Sequence, residues 1–127
     1  MFREWLYSTL STHVPLTAYV GDNIIQTGSE LEAPAHKPFL IYRLGVQSPS
    51  LRGDDATTKR IQPVQLFVHD TPGDYKRIDA ILDILKSLLD TRGDSSIICC
   101  TWLEASEDMR DDVFQTITRY ARLELRY

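Results

Sequence analysis

Residues 61–90 leave this chain little freedom. They open as a strand, in which Val64, Leu66 and Val68 fall on one face at period two, the pattern of a half-buried strand. Asp70, Thr71, Pro72, Gly73 and Asp74 then stop the strand and start a helix. Thr71 is the expected N-cap. Pro72 suits the first helical position, because its missing N–H would have had no partner there. Asp74 places negative charge where the helix dipole favours it. Tyr75, Ile78, Ile81, Leu82, Leu85, Leu88 and Leu89 follow at three- and four-residue steps, which makes one apolar stripe. Lys76, Arg77, Asp79, Asp83 and Lys86 mostly occupy the other side, and Gly93 is the expected C-cap. This strand–turn–helix is an architectural signal and contains no catalytic motif.

The rest of the chain must pack around that unit. At 127 residues, 43% of them hydrophobic, residues 1–127 fit one domain with an ordinary core. Phe2, Trp5, Leu6, Thr9 and Leu10 form a short helical stripe. Pro15 biases Val14 away from helix. Residues 16–20 add a turn of helix that Gly21 closes, and Ile24 and Ile25 form a short strand or buried hook. Residues 26–38 are irregular. Residues 39–46 form a strand with Leu40, Tyr42, Leu44 and Val46 on one face. Residues 97–103, which include Cys99, Cys100 and Trp102, form another by their β-branched and aromatic content. Residues 104–112 make an acidic turn. From residue 115 onward Ile117, Ala121, Leu123, Leu125 and Tyr127 alternate with polar residues, and Arg119 breaks the apolar side. The expected fold is α+β: a mainly antiparallel four-stranded sheet, helices packed on one face, and a long β-hairpin loop.

That loop, residues 47–59, is the one conspicuous feature outside the core. A tight hairpin loop has about two to five residues, so this one is long. It is polar, and Leu51 is its only large apolar residue. Long loops in compact domains tend to carry function, so Leu51, Arg52, Asp54, Asp55 and Lys59 are the candidate contact residues.

Residues that could carry chemistry are few. His69 and Asp70 end a strand beside a helix N-terminus and could be half of an acid–base couple, but no Ser or Cys nucleophile in a matching motif accompanies them. Glu104, Glu107, Asp108, Asp111 and Asp112 lack the spacing of a calcium loop and read as a solvated turn. His13, His36 and His69 are scattered, which argues against zinc. No phosphate loop is present, and a net charge of -4 argues against tight binding to a nucleic-acid backbone. No apolar run approaches the ~20 residues of a membrane span, and the N-terminus carries charges where a signal peptide would be apolar. Adjacent Cys99 and Cys100 point to opposite faces of their strand, which suits thiols in a reducing compartment. The expectation is a cytoplasmic assembly or binding module, with no enzyme activity, cofactor or metal.

Several segments, in this order, resemble the tail terminator (tail completion) proteins of long-tailed bacteriophages. They are the N-terminal helix, residues 16–24 (Leu-Thr-Ala-Tyr-Val-Gly-Asp-Asn-Ile), residues 38–42 (Pro-Phe-Leu-Ile-Tyr) and the polar hairpin loop. The strand Val-Gln-Leu-Phe-Val-His-Asp at residues 64–70, the helix over 74–89 and a late final strand complete the set. The resemblance spans nearly the whole chain and rests on apolar and turn residues. It implies a virion protein assembled in the host bacterial cytoplasm. Such a protein forms a homo-oligomeric ring, commonly of six copies, on the last ring of the major tail tube protein. It ends tube growth, meets the head–tail connector or stopper protein, and lets phage DNA pass through its lumen without specific binding. The family offers no catalytic residues. Two rivals stand beside it: a head-closure or stopper protein of the same neck, and a small cytoplasmic enzyme or ligand-binding domain.

Overall fold

The computed structural model describes residues 2–21, 24–26, 38–45, 48–52, 57–73, 75–90 and 99–126; for 48–52 and 57–60 the description is of backbone pairing. The elements run α1 (Phe2–Ser11), α2 (Val14–Val20), β1 (Ile24–Gln26), β2 (Phe39–Leu44), β3 (Ser48–Arg52), β4 (Thr57–Asp70), α3 (Lys76–Leu89), β5 (Cys99–Ala105), β6 (Met109–Asp111) and β7 (Thr116–Arg126). The α+β class matches expectation. The strand count does not: among the described residues seven strands form one sheet, in the order β1-β2-β4-β7-β5, with β3 also pairing β4 and β6 also pairing β7. The sheet is also mixed, because β1 lies parallel to β2 while the other pairs are antiparallel.

Two long strands hold the sheet together. β4 has 14 residues and β7 has 11, and they pair from Ile61↔Arg126 to Asp70↔Ile117. The period-two pattern decides which face each residue takes. Val64, Leu66, Val68, Ile117, Ala121, Leu123 and Leu125 turn to the helices and are buried. They meet Ile78, Ile81, Leu82, Leu85, Leu88 and Leu89 of α3, and Leu6, Leu10, Leu16 and Val20 of α1 and α2, in one cluster. Arg119 does fall on this apolar side. At the rim it bonds Asp79 Oδ1 at 2.6 Å and the Ser106 carbonyl at 2.9 Å, so its charge is met where the core ends. Cys100 is buried in the same cluster.

Helix ends depart from the sequence reading. Thr71 does not cap α3. Its N–H donates instead to Asp70 Oδ1 at 2.7 Å, Gly73 takes φ 149, and the helix starts at Lys76 with Tyr75 as N-cap. The Tyr75 hydroxyl donates to the Met109 carbonyl at 2.9 Å, which fixes that start against β6. Asp90 ends the helix; Asp74 and Gly93, the other expected end residues, lie outside the described residues. Val14 does begin α2, with Pro15 in its first turn, where a missing N–H costs nothing. Gly21 closes α2 at φ 59 and ψ -131, a conformation that a side chain would strain. Residues 104–112 are less of a turn than expected, since β5 runs to Ala105 and β6 pairs with β7.

Candidate assembly surface

The expected loop is mostly a ladder. Ser48–Arg52 and Thr57–Lys59 pair antiparallel, Leu51 against Lys59 and Arg52 against Thr57, with register shifts on both sides of Leu51. Leu51, Arg52 and Lys59 therefore stand on strands, while Asp54 and Asp55, in the connection between them, lie outside the described residues. β7 reaches β4 only at Ile61, so among the described residues the segment 57–60 pairs with β3 alone. This two-stranded arm projects past the rest of the sheet.

Pro63 separates the arm from the body. Its carbonyl accepts the Gly45 N–H at 2.9 Å, so its missing N–H also faces the β2 side. The β2–β4 ladder accordingly stops at Leu44↔Val64 and resumes in β3 at Ser48↔Ile61. Gly45 passes beside the proline ring, and a Cβ there would stand 3.2 Å from Pro63 Cβ. Gln62, 1% exposed, fills the gap: its amide donates to the Gly45 carbonyl at 2.8 Å and the Pro63 carbonyl at 2.9 Å. Both of its side-chain N–H groups are thus satisfied. Gly45, Gln62 and Pro63 were not picked out from the sequence. A proline inside a strand pattern was the available signal, because within sheets proline marks an edge or an interruption.

The face of the sheet turned away from α1, α2 and α3 carries the other groups of interest. Phe67 and Tyr120 sit side by side with ring centroids 5.3 Å apart. Next to them Arg122 bonds Glu104 at 2.5 Å, and Leu103, bulged out of β5, is 44% exposed. A groove of about 380 Å³ opens at the root of the arm, lined by Gly45, Pro63, Gln65, Leu103, Tyr120, Arg122 and Glu124, among others.

His69 and Asp70 do not form a couple. As neighbours on a strand they face opposite sides of the sheet. His69 is 3% exposed; its ring stacks on Phe39 at 4.8 Å, meets Phe114 edge-on at 5.4 Å, and its Nδ1 lies 2.8 Å from Thr116 Oγ1. Asp70 is 2% exposed and takes a forked pair of bonds from Arg77, 2.7 Å to Oδ2 and 2.5 Å to Oδ1. The bond to Asp70 raises the Arg77 guanidinium pKa further above its usual value. His69 thus holds the strand end to β2, β7 and the β6–β7 connection, and Asp70 holds it to α3. Several carboxylates of residues 104–112 also have partners. Asp111 Oδ1 accepts the N–H groups of Val113 and Phe114, both at 2.9 Å, and Asp108 lies 3.8 Å from Arg119. Among the described residues no group of His, Cys, Asp and Glu could hold a metal ion, and no helix is long and apolar enough to cross a membrane.

No protein-family model matches this chain, and no curated protein matches its sequence. Solved structures do match. One is a chain from the virion of a native gene transfer agent particle, with a TM-score of 0.71 and 15% identity over 95% of this chain and 90% of that one. The two share a fold. A second solved chain aligns with a TM-score of 0.62 and 13% identity, over 99% of this chain and 94% of its own length. The fold is thus one that at least one virion component also uses.

Proposed function

We propose that this chain is a structural virion protein that forms a ring, of about six copies, on the end of a phage tail tube. The ring ends tube polymerisation and presents its far side to the head–tail connector. The observation that carries this reading is the fold shared with a gene transfer agent virion chain over nearly the full length of both. The sequence resemblance to tail terminators supplies the place in the tail. The physics fits as well. Tube subunits stack head to tail, and such an interface repeats without end unless a cap offers only one complementary face. Leu51, Arg52, Asp54, Asp55 and Lys59 are proposed to make the ring or tube contact, because among the described residues the strand segments flanking Asp54 and Asp55 pair with each other and not with β7. Phage DNA would pass through the lumen without specific binding. Assembly would take place in the host cytoplasm, with no enzymatic step.

The test is to add the chain to a tail tube protein from the same phage and to measure tube length by negative-stain imaging. Substoichiometric chain is expected to shorten tubes, with a ring visible at one end. Tubes of unchanged length at saturating chain would overturn the terminator role. A ring that binds the connector yet leaves tube growth untouched would point to a head-closure protein instead.

A further inference from the structure

A backbone donor is missing where the arm leaves the sheet. Leu44↔Val64 is the last pair of the β2–β4 ladder, and one step further Gly45 stands opposite Pro63. Residues opposed at a hydrogen-bonded position of an antiparallel ladder exchange two N–H···O bonds. Half of that exchange is present, since the Gly45 N–H donates to the Pro63 carbonyl at 2.9 Å. The other half is impossible, because Pro63 has no N–H to give to the Gly45 carbonyl. The Gln62 side chain gives one instead: its Nε2 lies 2.8 Å from the Gly45 carbonyl oxygen and 2.9 Å from that of Pro63. Gln62 is 1% exposed, shares a face with Val64 by strand alternation, and pairs in register with buried Leu125. An amide in that apolar setting is costly unless its donors are used.

We propose that Gln62 is the positioning residue of the arm: its amide stands in for the N–H that Pro63 lacks, and so sets the direction in which the arm leaves the sheet. Several changes meet at this point. Between Val64 and Ile61 the partner of β4 changes from β2 to β3, and at Ile61 the described pairing with β7 ends. The Gln62 bond ties the chain that is about to enter β3 back to β4, where the arm loses the support of β7. A residue with an N–H at position 63 would close the Gly45 pair through backbone alone. Here the closure runs through one side chain, and Gly45 is drawn in until a Cβ on it would stand 3.2 Å from Pro63 Cβ. The functional part rests on the ring reading above. An arm already held in one direction loses less conformational entropy when it meets the next copy or the tube, which strengthens that contact.

The test is a double-mutant cycle on the full chain: wild type, Gln62→Met, Pro63→Ala, and both changes together. Gln62→Met keeps the length of the side chain and removes its N–H groups. Pro63→Ala restores a backbone N–H opposite Gly45. Amide hydrogen exchange is followed by NMR at Gly45 and in residues 48–52 and 57–61, against Leu66 and Val68 in the body of the sheet. With Pro63 in place, Gln62→Met should speed exchange at Gly45 and in the arm by roughly two- to tenfold more than at Leu66 and Val68, the factor that one hydrogen bond of ordinary net strength carries. With Pro63→Ala in place, the same change should have a local effect of less than about twofold, because the backbone then supplies the donor. If circular dichroism shows Gln62→Met unfolded, Gln62→Asn, whose amide falls one methylene short, takes its place in the cycle. Equal local effects in the two backgrounds, or exchange in the arm that rises no more than in the body, would overturn the assignment. Tube capping by the same proteins reads the functional part: Gln62→Met should cap fewer tubes at equal concentration, and the double variant should regain capping. Capping unmoved by Gln62→Met while arm exchange rises would overturn the positioning role. A wild type that caps no tubes removes the ring reading alone, because the exchange cycle still decides whether Gln62 replaces the missing donor.

Discussion

Leu85→Asp is expected to unfold this protein at pH 7 and to do so less severely in acid. Leu85 lies in the middle of α3 and is 0% exposed, among the helices and the inner face of the sheet. Losing its apolar contact costs about 2–3 kcal/mol. The new carboxyl has no charged partner in the cluster, so folding drives it to its neutral form. Taking up that proton at pH 7, about three units above an ordinary Asp pKa, costs about 4 kcal/mol. An unsatisfied neutral carboxyl adds about 1–3 kcal/mol. The sum, roughly 7–10 kcal/mol, is comparable with the whole stability of a chain this size, about 6–19 kcal/mol. The sign of the pH effect follows. A carboxyl whose folded pKa is raised leaves stability intact below its unfolded pKa and removes it as pH rises toward the folded one. Leu85→Asn has nearly the same shape and no titrating proton. Urea unfolding of the two variants, followed by circular dichroism, isolates the proton cost. Asp should be about 4 kcal/mol worse than Asn at pH 7, and the two should converge near pH 4. Equal stabilities at pH 7 would mean that residue 85 meets water, and that the stripe of α3 faces something other than this core.

Two further outcomes follow from contacts in the sheet. Arg77→Ala leaves the Asp70 carboxylate buried with the Thr71 N–H but without its guanidinium fork. Because Arg77 is itself 46% exposed, the expected loss is modest, about 1–3 kcal/mol by urea unfolding, and Arg77→Lys should recover only part of it. Burial raises the pKa of the Tyr42 phenol, with the nearby Arg3 charge opposing and Tyr7 adding to it. Native protein then holds that proton longer than the unfolded chain, so its stabilising contribution is complete below about pH 10 and fades as pH rises through the folded value. Tyr42→Phe should flatten the alkaline limb of the stability curve; an unchanged limb would place its origin elsewhere.

Much of the candidate surface could be seen in the sequence only as an anomaly of length. Residues 47–59 are too long and too polar for a tight hairpin, and that sets the segment apart from the rest of the chain. That they form an arm was not visible, because Ser48-Pro49-Ser50 has no strand signature by itself; its pairing comes from β4. Pro49 is tolerated since β3 is an edge. The opposed faces of His69 and Asp70 are legible from strand alternation alone, and that alternation separates the two side chains.

The local periodicities fixed the identities of β4, β7 and α3, and with them the residues of the core. Alternation in Val64, Leu66 and Val68, and the three-four spacing from Ile78 to Leu89, are properties of neighbouring residues that survive in any packing. Gly21 at the end of α2 was local too, since a positive φ is a demand on one residue. What only the tertiary structure decided involves partners far apart in the chain. The parallel seat of β1 beside β2 depends on which edge is open once β4 and β2 have paired. The late start of α3 depends on the Asp70 carboxylate accepting from both Thr71 and Arg77, and on Met109 anchoring Tyr75. The arm and β5 came to lie on opposite sides of β7 only when β7 settled between β4 and β5, because strand order is set by long-range burial that no local pattern encodes.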